Sequence, residues 1–517
     1  MTGAAAALWL PRLAQAQPVT RSGDGWLDIR DFGAKGDAVT IDSQAIDKAI
    51  DEAARRGGGV VWFPRGTYAS YTIHLKSNVT LYLDRGAVLL AASVPLEGTQ
   101  NGYDMAEPQD PAINAFQDYG HNHWRNSLIY GEGLHDIAIL GDGLIWGKGL
   151  SNGRRDPALP KAELPGVGNK AIALKNCFNV QLRDFKILKG GHFALLATGV
   201  DNLVIDNLTV DTDRDGFDID CCKNVRVSNC TVNSPYDDGI CPKSSFALGY
   251  ARTTENVTIS DCYVSGNYIV GTVIDGTFKR ATERGQSFKT GRIKCGTESN
   301  GGFKNITVTN CVFDECQGLA LETVDGAILE DITISNIAMR NLSSAPLFLR
   351  LGRRMRGPAG APIGSIKRVL IDNITSSGST KLPSIIAGVD GHPVEDVKIS
   401  NLYLQQVGGG DAASAQVQVP AKEDAYPEPG MFGPLPATGF FVRHARNLEM
   451  SHVEIAVQAA DARPAFWMQD VDGFDGAFLK VPAGAPNFAL DGVSHFRTFG
   501  SIAVPDKRLD AATTVTF

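Results

Sequence analysis

No stretch of the sequence approaches the roughly 20 consecutive apolar residues of a membrane-spanning helix, so no membrane partner is expected for its 517 residues. Positive charge is in short supply. Lys and Arg number 49 against 57 Asp and Glu, a net charge of −8, and a chain with no basic surplus is a poor match to nucleic acid. The acidity does not exclude an acidic polysaccharide, because local Arg and Lys can hold carboxylates on an acidic protein. Cysteine occurs nine times, an odd number that forms no disulfide framework, and no CxxC pair recurs with zinc-site spacing. No metal or cofactor is expected. Charged residues make up 21% and hydrophobic ones 43% of the chain, a globular rather than a disordered balance. Glycine is plentiful at 56 residues, which favours turn-rich β architecture.

The N-terminus carries an apolar run from Ala4 to Leu10 and then Ala14-Gln15-Ala16, a small-x-small pattern suited to signal peptidase. Residues 1–17 are read as the remnant of an export signal, with an Ala-rich tail as the alternative, and the product is expected in the periplasm or outside the cell. Residues 18–517 are read as one domain.

From about residue 130 a short pattern recurs: Asn or Asp, alternating apolar residues, then Asn, then an apolar residue. The first apolar residues are Val180, Leu203, Val225, Val257, Ile306, Ile332, Val369, Val397 and Leu448, with initial steps of 23 and 22 residues. Self-similarity at this period marks a solenoid, and alternation within each unit marks strands. Four residues after each anchor stands Asp184, Asn207, Asn229, Asp261, Asn310, Asn336, Asn373, Asn401 or His452. Stacking predicts an Asn/Asp column at a bend, since Asn tolerates left-handed backbone and bonds to its neighbours. Several cysteines share the next position and are read as core. Asp42 to Ala54 has helical periodicity, and a helix there would cap the open end of the solenoid. The fold expected is all-β: a right-handed parallel β-helix with an N-terminal capping helix. Gly408 to Pro436 reads as an irregular excursion, and the chain beyond Asp470 as less regular strands or a cap.

The densest polar cluster runs Asp211-Thr-Asp213-Arg214-Asp215-Gly216-Phe-Asp218-Ile-Asp220, followed by Pro235-Tyr-Asp237-Asp238-Gly239. Asp215 and Asp237 each lie twelve residues after their anchors, as does His192 one unit earlier. They are therefore expected in one column, roughly 4.8 Å apart per coil. Like charges that close push one pKa upward, which suits general acid/base cleavage of a glycosidic bond. The plainer alternative is a set of turn aspartates or a cation site.

Here the sequence resembles the family-28 glycoside hydrolases, the polygalacturonase and rhamnogalacturonase group of the pectate-lyase-like β-helices. The resemblance rests on Asp31-Phe-Gly-Ala-Lys-Gly-Asp37, Gly57-Gly-Gly with Pro64-Arg-Gly-Thr-Tyr68, and Gly296-Thr-Glu-Ser-Asn-Gly-Gly302. The family's Asn-Thr-Asp maps onto Asp213-Arg214-Asp215, and its Asp-Asp onto Asp237-Asp238. It implies a polysaccharide or oligosaccharide substrate and an inverting mechanism in which Asp237 is the general acid and Asp215 and Asp238 activate water. Two departures bear on the substrate. No histidine lies between His192 and His392, so the family's Gly-His-Gly histidine is missing. Gly318-Leu-Ala320-Leu-Glu322-Thr stands where the carboxylate-gripping Arg-Ile-Lys is expected, and Arg292-Ile-Lys294 falls one coil too early. This favours a rhamnogalacturonan-like substrate over homogalacturonan. The long interval from Asp238 to Gly296, with Asp275, Arg280, Glu283 and Arg284, suggests a wall and exo action.

Candidate substrate-binding residues are His192, Arg214, Asp218, Lys243, Arg292, Lys294, Glu298 and Glu322. Arg350, the His121-His123-Trp124 stretch and a fold-back of Tyr426 to Gly433 are weaker candidates. Two rivals stay open: a calcium-dependent polysaccharide lyase and a non-catalytic carbohydrate-binding β-helix. The oligomeric state is not readable.

Overall fold

The computed structural model describes residues 25–153, 156–280, 290–378 and 380–517. The export segment 1–17 lies outside them, as do Glu283 and Arg284. The chain is a right-handed parallel β-helix. All nine anchors fall in one register, Val180↔Leu203↔Val225↔Val257↔Ile306↔Ile332↔Val369↔Val397↔Leu448. Side chains alternate in and out, so each strand buries one apolar row. The rows stack into a continuous core that no single coil could bury alone.

Every bend residue from Asp184 to His452 has positive φ. The amides bond from coil to coil, for example Asn310 Nδ2 to Asp261 Oδ1 at 3.2 Å and Asn336 Nδ2 to Asn310 Oδ1 at 3.1 Å. All nine cysteines are buried and free. Helix Ser43–Arg55 buries Ile46, Ala49, Ile50 and Ala53 against the first coils.

The C-terminal end departs from the expectation. Strands Phe466–Ala477 and Phe488–Phe499 continue the parallel register, Leu448↔Phe474↔Phe496. Only Lys507–Leu509 and Thr513–Thr516 turn antiparallel and close the end. The repeat was hidden because its chemistry changes there. His452 stacks on Phe478 at 4.8 Å where an Asn ladder stood before, and Phe440, Phe466 and Phe488 stack inside at 5.7 and 4.7 Å.

One face carries strands Lys170–Lys175, Phe193–Thr198, Asp215–Asp220, Ile240–Lys243, Lys294–Cys295 and Leu319–Thr323 on successive coils. All the candidate site residues lie on or next to this face. Residues 409–439 form the expected excursion, with two short 3-10 turns.

Candidate active site

The register at the acidic cluster differs by one residue from the sequence expectation. Asp211 pairs with Asn233, an offset of 22 residues, whereas Phe217 pairs with Ile240, an offset of 23. The extra residue lies in the turn between, where Ser234 Oγ donates to the carbonyls of Arg214 and Asp237. One coil earlier the count is a residue short, and Phe193 pairs with Asp215. Asp215 therefore stacks on Asp238, not Asp237, and His192 stacks on Arg214, which precedes Asp237. The three aspartates still converge, with an oxygen of each lying within 4.8 Å of the others. No diagonal pair opens the wider gap expected between inverting carboxyls, about 6.5–9.5 Å.

Different partners hold the three carboxylates. Asp238 is buried between Arg292 Nε at 2.9 Å and Lys294 Nζ at 2.8 Å. Burial alone would raise its pKa, but Lys294 and Arg292 outweigh it and bring the value down to about 2. Asp215 is 2% exposed with one oxygen lacking a hydrogen bond. Burial first, and then Asp237 and Asp218, push its pKa well above the carboxylate range. Asp237 is the accessible member, its side chain 28% exposed and paired with Arg214 at 2.8 Å.

Lys243 lies fully buried behind them, 3.7 Å from Asp215, 3.2 Å from Asp218 and 3.4 Å from Glu298. Burial would lower the pKa of this ammonium, and the three carboxylates instead drive it upward. Asp218 is pushed up to about 7, chiefly by burial. Lys243 donates to His121 Nε2 at 2.7 Å, and His121 sits 3.5 Å from Asp218. Burial and Lys243 both lower the His121 pKa. His121 thus brings a histidine to a site whose strands have none. Its signal, a His-rich stretch 94 residues before Asp215, gave no register to place it. Its neighbours are structural: Trp124 is fully buried with its indole N–H on Thr198, and His123 bonds to the Tyr119 carbonyl.

Arg292 and Lys294 occupy the coil before Gly318–Thr323, as Lys294 pairs with Ala320. They nevertheless reach the aspartates, so the tripeptide is part of the site. Glu322 is fully buried 4.0 Å from Lys294, and burial pushes its pKa up to about 7. His192 is one coil away, 8% exposed and stacked on Phe193 at 4.4 Å. Arg350 is neither a surface charge nor a free clamp. It is 1% exposed and donates to the carbonyls of Gly388 and Lys422.

The excursion does fold over this face. Phe432 and Leu435 anchor it in a small apolar cluster with Ala320, Phe348 and Phe441. Glu428 then meets Arg292 at 2.7 Å, and the Tyr426 hydroxyl accepts from Thr297 Oγ1 at 3.0 Å. The described part of the 238–296 insertion, hairpin Tyr268–Val270 and Lys279–Arg280, ties Arg280 to Glu315 at 3.2 Å. It also places the Val273 N–H on Asp211 Oδ2 at 3.0 Å, and a further wall stands beside the aspartates. The Tyr119–Asn122 turn lies on His192 and Phe193 so closely that a Cβ on Gly120 would fall 2.6 Å from the Phe193 ring.

Residues 26–114 match the family described as rhamnogalacturonase A/epimerase, pectate lyase-like, and residues 163–288 match the right-handed β-helix region. The chain is 23% identical to a probable polygalacturonase of Vitis vinifera, over 61% of each chain. It is 30% identical to the plasmin and fibronectin-binding protein A of Streptococcus pneumoniae, over 46% of this chain and 31% of that one. It therefore spans less than two thirds of either relative. The family 28 exopolygalacturonase of Yersinia enterocolitica shares the fold at a TM-score of 0.63 and 19% identity, over 89% of this chain and 78% of that one. The resemblance to the polygalacturonase group read from the motifs is matched by the Vitis vinifera relative.

Proposed function

We propose that this protein is an exported glycoside hydrolase of pectin-type polysaccharide, cleaving from a chain end with Asp215, Asp237 and Asp238 as the catalytic group. The observation that carries the reading is one cluster in which neighbouring carboxylates hold protons with opposite affinity. Separated proton affinities divide the roles of acid and base.

Asp215, raised by burial, brings a proton into the cluster beside Asp237. Asp237, the accessible member, presents it to the glycosidic oxygen as the bond to the anomeric carbon breaks. Asp238, ionised by Arg292 and Lys294, takes a proton from the water that attacks that carbon. Attack from the face opposite the leaving group inverts the centre, which requires the carboxyls to part when sugar and water enter.

Two further observations support the finer assignment. The coil before Asp215 is closed by the Tyr119–Asn122 turn, with Phe193 fully buried, a wall at one side of the aspartates that suits exo action. Among the described residues, the four cations beside the aspartates, Arg214, Lys243, Arg292 and Lys294, already face acidic side chains. None of these four is left over for a galacturonate carboxylate, which favours a neutral sugar such as rhamnose at the cleaved position. The same pairing disfavours a calcium-dependent lyase, because protein cations already neutralise the carboxylates calcium would need.

The test is incubation with rhamnogalacturonan, polygalacturonate and their oligosaccharides. We expect one sugar released per cut from one end, with inverted anomeric configuration by proton NMR. Random mid-chain products would sink exo action, and retained configuration would sink the single displacement. The name of the pneumococcal relative favours a second reading, binding without cleavage. Asp237→Asn separates the two: the hydrolase loses about 10²–10⁴-fold in kcat and keeps glycan binding. A wild-type protein that binds but never cleaves would favour the second reading.

A further inference from the structure

We propose that Glu428 is a built-in carboxylate that occupies Arg292 in place of an acidic sugar, and so excludes uronates from the cleavage site. This rests on the hydrolase reading above and assigns its selectivity to one residue on the excursion.

Arg292 is 1% exposed and extends its guanidinium between two carboxylates, Asp238 at 2.9 Å and Glu428 at 2.7 Å. A buried guanidinium facing a groove is a strong receptor for a carboxylate, through planar charge-assisted bonds. Asp238 comes from the floor, next to the reacting centre. Glu428 comes from the excursion, with its side chain still 35% exposed, so it reaches Arg292 from the side on which substrate arrives. It holds the place that a sugar carboxylate would take.

The contact is not needed to dock the excursion. Phe432 is 2% exposed in its own apolar cluster, and Arg350 lies over its ring at 5.4 Å. Arg350 also donates to the Lys422 carbonyl at 3.0 Å, and Arg443 to the Pro420 and Val419 carbonyls at 3.2 and 3.1 Å. These hold the segment on both sides of Glu428. What Glu428 adds is charge. Arg292 and Lys294 carry two positive charges, and Asp238 and Glu428 return two negative ones. Glu322, buried beside Lys294, is raised partly by Glu428 itself. Neutralising Glu428 removes the carboxylate on the groove side of Arg292 and leaves that edge of the guanidinium open to another. A neutral sugar is indifferent to that change, and a uronate is drawn by it.

The test uses Glu428→Gln and Glu428→Ala in the full chain, each checked by thermal melting. The first measurement is the ratio of kcat/KM for galacturonate-ended against rhamnose-ended oligosaccharides. The second is calorimetric binding of galacturonate and of galactose, which needs no turnover. We expect both variants to shift the ratio toward galacturonate by about tenfold or more, and to bind galacturonate in a salt-sensitive way while galactose binding stays the same. A ratio and a galacturonate affinity both equal to the wild type would overturn the proposal, as would equal losses on both substrates, which would mean that Glu428 only holds the excursion in place. If no protein cleaves any substrate, the hydrolase reading falls, and calorimetry alone still decides for or against Glu428.

Discussion

Replacing Lys243 with methionine keeps a stem of similar length and removes the cation shared by Asp215, Asp218 and Glu298. Among the described residues, no other permanently charged group lies within ion-pair range of these three. They are 2, 0 and 4% exposed, and deleting one partner of a buried ion pair costs about 3–5 kcal/mol. The loss depends on pH. Asp218, already at about 7, and Asp215 rise further without the ammonium. Glu298 is held well below its usual value, against burial, by Lys243, His121 and Arg354, and it rises as well. A carboxyl whose folded pKa is raised contributes stability that is complete below its unfolded value near ~4, and loses it as pH climbs through the folded value. The variant therefore differs least from the wild type in acid and most in mild base. Each added pKa unit contributes at most about 1.4 kcal/mol, so Asp218, rising by about one unit from about 7, gives roughly 1 kcal/mol between pH 5 and pH 8. Urea unfolding followed by tryptophan fluorescence reads the change at both values. A destabilisation of equal size at pH 5 and pH 8 would refute the charge argument and leave only lost packing.

The remaining predictions are simpler. Activity should survive EDTA, and products should show no near-ultraviolet absorbance; loss of turnover on chelation, restored by calcium, would move the reaction to the lyase class. Asn310→Ala removes an amide that donates to Asp261 and accepts from Asn336 at 3.2 and 3.1 Å, and it leaves alanine at φ 55°. It should cost about 2–3 kcal/mol by adding left-handed strain to a lost bond, read as a lower melting temperature with the cleavage pattern unchanged. Arg214→Gln frees Asp237 from its counter-ion at 2.8 Å, which raises the affinity of that carboxyl for a proton. Arg214 also holds down the raised Asp215, so the alkaline limb of kcat/KM should shift to higher pH, and an unmoved limb would take Arg214 out of the control of that proton.

What could be read from the sequence followed from repetition. Nine anchors and nine bend residues share one offset, so the stack and its left-handed corners could be written down before any coordinates. Arg292, Lys294, Glu298 and Glu322 are reached instead through the family motifs they spell or replace, and each lies on or beside a strand of the repeat. Neither repeat nor motif reached His121 or Glu428. Both come from non-repeating segments, and where such a segment lands depends on packing by residues such as Phe432 that carry no periodic mark. Past Asp470 the repeat itself continued, but Phe474, Phe478 and Phe496 replaced the aliphatic and Asn columns, so the pattern of residue types failed before the fold did.

The one-residue slip between Asn233 and Ile240 decides the chemistry of the cluster. Counting from the anchors alone stacks Asp215 on Asp237 and Arg214 on Tyr236. In a parallel stack a shift of one residue changes which side chains are neighbours all along the strand. With the extra residue in the turn, Arg214 stands beside Asp237, and Asp238 moves onto Asp215 and within reach of Arg292 and Lys294. Two of the three aspartates thereby gain close cations, and Asp215 keeps only Lys243 at 3.7 Å. The carboxyl with the weakest counter-charge is also the most buried of the pair it forms with Asp237, so it retains the proton. Three identical side chains within 4.8 Å thus acquire separate roles from the length of a single turn, and the aspartate count would have been the same without it.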